Sequence, residues 1–62
     1  MYEVILAGAV YPFRPLLTRR AEGFRAAEQT ATRAVEAARK RGLLIGAEIY
    51  DPDGQLVGEV GY

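Results

Sequence analysis

The run from about Phe24 to Arg41 decides most of what this chain can become, because no other segment sustains a helical pattern. Apolar Phe24, Ala27, Ala31, Ala34, Val35 and Ala38 recur there at helical spacing, and alanine has the best intrinsic helix propensity. Glu36 and Lys40 stand in the favourable i, i+4 order, worth about 0.2–0.5 kcal/mol. Arg39, Lys40 and Arg41 suit the negative end of the helix dipole. Gly42 is placed to end the helix in a left-handed conformation. At the other end Thr18 is a candidate cap, but Gly23 weakens a first turn built on it and favours a start just after the glycine. The stripe is almost all alanine, so this helix can lie close on a sheet. One helix covers one sheet face and no more.

The flanking segments read as strands. In 2–9, Tyr2, Val4 and Leu6 alternate with Glu3, Ile5 and Ala7. Segment 11–20 is a Pro-rich loop with room for a short edge strand, since neither Pro12 nor Pro15 can donate to a central ladder. Segment 43–62 reads as a hairpin about Asp51-Pro52-Asp53-Gly54, the pattern of a type I turn followed by a one-residue bulge at Gly54. That turn sets Asp51 opposite Gln55 and Tyr50 opposite Leu56. The rest of the register follows as Ile49 with Val57, Glu48 with Gly58, Ala47 with Glu59, Gly46 with Val60 and Leu44 with Tyr62. The fold class is therefore α+β, a single small domain over 1–62. Its order is ββαββ, or βαββ if 15–20 stays a loop, with the helix over 24–41 packed on one face of a mainly antiparallel sheet.

In that register one hairpin face carries Leu43, Ile45, Ala47, Ile49 and Val57, with Glu59 among them. The other carries Leu44, Tyr50, Leu56, Val60 and Tyr62, beside Glu48, Gly46 and Gly58. Apolar residues on both faces and one helix to cover them leave a patch of the kind that marks an interface. Leu44, Tyr50, Leu56, Val60 and Tyr62 are the residues this assigns to a protein interface.

Composition narrows the alternatives. With 62 residues and neither Cys nor His, the chain has no disulfide and no thiolate or imidazole metal ligand. Small domains often lean on such staples, so self-association or docking is the remedy left open. The longest uncharged run, Val4 to Phe13, is too short to span a bilayer and is broken by Pro12. No membrane partner and a cytoplasmic location are expected, since Glu3 stands where a secretory signal would be basic. Net charge is zero but unevenly spread. Residues 13–25 hold Arg14, Arg19, Arg20 and Arg25 against Glu22, four minus one or +3, while 43–62 hold Glu48, Asp51, Asp53 and Glu59 with no cation, or −4.

The four arginines, with Tyr11 and Phe13 nearby, could grip phosphates, with aromatics available for base stacking. Nucleic acid is thus a second candidate partner, although such binders are usually basic overall. Pro12-Phe13-Arg14-Pro15 has the loose PxxP spacing of polyproline ligands. Asp51 and Asp53 open like a calcium loop, but position 62, where the closing Glu belongs, is Tyr. No Ser, Cys or His stands ready for nucleophilic or acid–base work. The expectation is therefore no enzyme, no catalytic residue, no metal and no cofactor.

Ala27, Ala31, Ala34 and Ala38 running into Gly42, then an aliphatic strand, Asp51-Pro52-Asp53-Gly54 and a terminal tyrosine together resemble a group of small uncharacterised bacterial ββαββ domains. The resemblance covers the helix and hairpin and departs at the Pro-rich segment 11–17. It implies the fold and carries no activity or site residues. The functional expectation is a non-enzymatic protein-interaction module, self-associating into a homo-oligomer or docking on a target through the uncovered sheet face. A small phage-type inhibitor or adaptor, anti-CRISPR-like and acting by occlusion, is the alternative in the same class. Nucleic-acid binding through the arginines is the alternative in a different one.

Overall fold

A computed structural model describes residues 1–9 and 15–61. Along them run β1 (Tyr2–Gly8), β2 (Pro15–Ala21), α1 (Phe24–Lys40), β3 (Ile45–Tyr50) and β4 (Leu56–Val60). The strands form one open sheet in the order β2-β1-β3-β4, each antiparallel to its neighbours. β2 and β3 therefore run the same way on either side of β1, and α1 carries the chain from one to the other across a single face. The stretch after Pro15 is a strand, which settles the order as ββαββ. Tyr11, Pro12, Phe13, Arg14 and Tyr62 lie outside the described residues, and so does most of the PxxP segment.

Thr18 lies in β2 opposite Ile5 and does not cap the helix. Gly23 holds that position without a side-chain hydrogen bond, and its carbonyl accepts from the Ala27 N–H at 2.9 Å. The other end closes as the sequence predicts. Gly42 has φ 75°, its N–H donates to Arg39 O, and the Leu43 N–H donates to Ala38 O. That pair of bonds is the Schellman arrangement, and it satisfies two carbonyls the last helical turn would leave free.

The core is a thin layer between α1 and the sheet. Val4 and Leu6 from β1, Ala21 from β2, Ala47 and Ile49 from β3, and Ala27, Ala31 and Val35 from α1 form it. Ala27 and Ala31 have no exposed surface, so the small stripe lets backbone approach sheet closely. Val4 and Ile49 are the largest fully buried side chains. At the helix start Phe24 meets Tyr2 edge to face, with ring centroids 6.1 Å apart. Gly58 lies next to Phe24 and Ile49. A Cβ there would come 3.3 Å from Ile49 Cδ1 and 3.6 Å from Phe24 Cε1.

The β3–β4 turn forms as its sequence indicates. Gly54 has φ 84° and donates to Asp51 O at 2.9 Å, while the Asp51 N–H reaches Gln55 O. Beyond Leu56 the register departs from the one expected. Tyr50 does face Leu56, but Ile49 faces Gly58, Glu48 faces Glu59 and Ala47 faces Val60. Val57 is thus an extra residue, a second bulge on β4. The physical reason is the face exchange it brings. An uninterrupted ladder would turn Glu59 toward the helix, where a carboxylate would be buried without a partner. With Val57 inserted, Glu59 turns outward and Val60 packs against the core.

Candidate docking face

The face opposite α1 is built from alternate residues of all four strands. One row across it runs Arg20, Glu3, Tyr50, Leu56, and the next runs Thr18, Ile5, Glu48, Glu59, each residue directly opposite its neighbour. No helix or strand among the described residues covers these rows. Ile5 and Tyr50 are half-buried by their neighbours, and Leu56 is exposed. The apolar strip is short and flanked by charge. Arg20 stands at the β2 side, and Glu48 and Glu59 stand side by side at the other.

The Tyr50 hydroxyl donates to Glu48 Oε1 at 3.3 Å. Partial burial and the Glu48 and Glu59 carboxylates push the Tyr50 phenol up from its ordinary 10.0, since each disfavours a phenolate there. The Asp51 carboxylate has a different task. Its Oδ1 accepts from the Asp53 and Gln55 backbone N–H groups, both at 2.9 Å, so it braces the turn.

The five residues assigned to an interface do not stand together. Tyr50 and Leu56 are cross-strand partners on the open face. Leu44 precedes β3 at the far end of the sheet, where its carbonyl accepts from the Ala9 N–H. Val60 is a correction: the Val57 bulge turns it to the helix side, away from the open face. Tyr62 lies outside the described residues. Ile5 and the Glu48–Glu59 pair stand on the open face beside Tyr50 and Leu56 and are not among those five. The signal for the Glu48–Glu59 pair was Glu59 itself, since a carboxylate that an unbroken register points at the helix calls for a bulge. The β1 alternation already set Ile5 on the face away from Val4 and Leu6.

The arginines do not gather into one patch. Arg20 belongs to the open face, while Arg19, its neighbour on β2, turns to the helix side beside Leu17, Ala34 and Arg41. Arg25 is on the outer surface of α1 with Glu28, Gln29 and Arg33. Arg14 lies outside the described residues. A second apolar region exists at the far end of the sheet, where Leu16, Leu17, Leu43 and Leu44 are each between 45% and 65% exposed.

What these features define is an α+β domain of ββαββ order, with one sheet face that no helix or strand among the described residues covers. Among the described residues no helix is long and apolar enough to cross a membrane. Searches against protein-family models, curated proteins and solved structures find no match for the chain.

Proposed function

We propose that the chain is a non-enzymatic protein-interaction module that docks through its open sheet face. The observation that carries this reading is the uncovered strip of Ile5, Tyr50 and Leu56 on the side opposite α1. A sheet buries its apolar face against another layer, and α1 supplies that layer on one side only. The aromatic ring and aliphatic side chains supply a small desolvated centre, and Arg20, Glu3, Glu48 and Glu59 supply the polar rim expected around one.

The test uses two sets of variants. Leu56→Ser and Tyr50→Ser alter the face, and Leu43→Ser alters an exposed leucine away from it. Self-association by light scattering and protein capture on the immobilised chain are measured for each. Both face variants are expected to keep the wild-type circular dichroism while losing assembly or capture, and Leu43→Ser is expected to keep both. Assembly and capture indifferent to Tyr50 and Leu56 would sink the reading.

A further inference from the structure

We infer that the leucine-rich end of the sheet docks on an anionic bilayer surface, its leucines entering the acyl boundary and its cations meeting the lipid headgroups. The open face plays no part in this. No helix among the described residues is long and apolar enough to cross a membrane, and attachment from one side needs none.

β1 and α1 end, and β2 and β3 begin, at this end of the molecule. Leu16, Leu17, Leu43 and Leu44 are all exposed there. The described segments that meet at this end are 8–9, 15–17, 39–45 and 60–61, and their only charged side chains are Arg39, Lys40 and Arg41. Arg19 joins them from β2. With Arg41 it lines an open cavity of about 300 Å³ whose apolar walls include Leu17, Leu43, Ala34 and Ala37. The carboxylates are elsewhere. Glu36 lies one helical turn before Lys40. On the open face Glu48, with Glu59 opposite it, is four residues from Leu44, about 13 Å along a strand. Glu3, Glu22, Asp51 and Asp53 gather at the other end of the sheet, against Arg20 and Arg25. That separation of charge turns the leucine end toward an anionic surface.

The placing of the leucines favours a bilayer over a ligand or side chain in the cavity. Leu17, Leu43 and Ile45 line the helix side, so strand alternation sets Leu44 on the other side. Leu16 is left without a partner where the β1–β2 register breaks. An occupant of the cavity reaches Leu17 and Leu43 and leaves the other two in water. A surface laid across the end of the sheet reaches all four. The backbone there suits a dry surrounding. The Arg41 and Leu43 N–H groups donate to Ala38 O, Gly42 N–H to Arg39 O and Ala9 N–H to Leu44 O, at 2.9–3.0 Å. The leucines therefore enter without carrying these donors in unpaired. Arginine and lysine stems lie along the apolar layer while their charged heads stay among the headgroups. Leucines and cations act as two signals, each marginal alone, so the attachment is reversible and loosened by salt.

Cosedimentation with vesicles tests this, using equal parts phosphatidylserine and phosphatidylcholine against phosphatidylcholine alone. The chain is expected to bind the mixed vesicles at least about tenfold more tightly, since each cation near an anionic surface is worth about fivefold. The double variant Leu43→Ser, Leu44→Ser is expected to lose at least about tenfold and Arg41→Gln about fivefold. Arg25→Gln, which removes the same charge from the outer face of α1, and Leu56→Ser, on the open face, are expected to change nothing. The chain has no tryptophan, so Leu44→Trp supplies a reporter that does not depend on losing function. Its emission is expected to move to the blue on mixed vesicles and to be quenched by brominated acyl chains, while Leu56→Trp shows neither. No binding to either vesicle, or equal binding to both, overturns the inference. So does a bound Leu44→Trp chain whose emission stays put, or a loss with Leu56→Ser or Arg25→Gln that matches the loss with the variants at the leucine end. A chain that ignores vesicles but captures a protein through Leu43 and Leu44 overturns the bilayer and makes a protein the occupant of this end.

Discussion

Gly23 begins α1 with extended backbone, φ −154° and ψ 169°, and open space where a Cβ would stand. Any L residue fits there, and the first turn holds no acidic side chain. Gly23→Asp would supply both the missing cap and a negative charge at the positive end of the helix. The expected gain is about 0.5–1 kcal/mol, a rise of several degrees in melting temperature by calorimetry. Gly61 is the opposite case. Its φ is 84°, and a Cβ would lie 3.0 Å from both Ile45 O and Val35 Cγ1. Gly61→Ala is expected to cost more than about 1 kcal/mol, from strain and crowding together. Tyr50 offers a pH signature. Its raised pKa means that the unfolded chain ionises first as pH climbs past 10.0. Its contribution is intact below that pH and is lost as pH rises through the higher folded-state value. Glu48→Gln is expected to bring the phenolate midpoint back toward 10.0, as read by ultraviolet titration of wild type against the variant.

Helix and hairpin carry predictions of their own. Ala31 has no exposed surface and sits where α1 approaches the sheet. Ala31→Leu keeps a good helix former and adds apolar atoms, yet it is expected to destabilise by about 1–3 kcal/mol in chemical denaturation, because the layer has no room. In β4, deleting Val57 is expected to leave a folded sheet with Gly58 still under Phe24. Deleting Gly58 presses a valine against Ile49 Cδ1 and the Phe24 ring and is expected to lower the melting temperature sharply. Helix, turn and first strand were legible in the sequence because their determinants are local: alanine spacing, the Gly42 terminator, Asp51 and Gly54 at fixed turn offsets. The Val57 bulge was not, because its cause is tertiary. It depends on what Glu59 and Val60 would meet across the sheet, and no propensity of Val57 announces that. The same distance separates the arginines, which adjoin in sequence and diverge once β2 alternates Arg19 and Arg20 between faces.

At the scale of the molecule, the thin core and the open face have one origin. A single alanine-lined helix is enough to bury one side, and Val4 and Ile49 are the largest side chains it fully encloses. Ile49→Ala is expected to cost about 2–5 kcal/mol, a large part of the stability available to a small domain, so cooperative melting should be lost or shifted well below that of wild type. The central position of β1 has a consequence for how the chain is made. Of the four strands it is the first to be synthesised, yet it bonds to β2 on one side and to β3 on the other. β3 follows the whole of α1 in the chain, so the first strand waits with one edge and its apolar row unmatched until the final third is available. A fragment ending at Gly42 should therefore give a broad, non-cooperative melt. The domain closes only when its last hairpin arrives, and its beginning is held in place by its end.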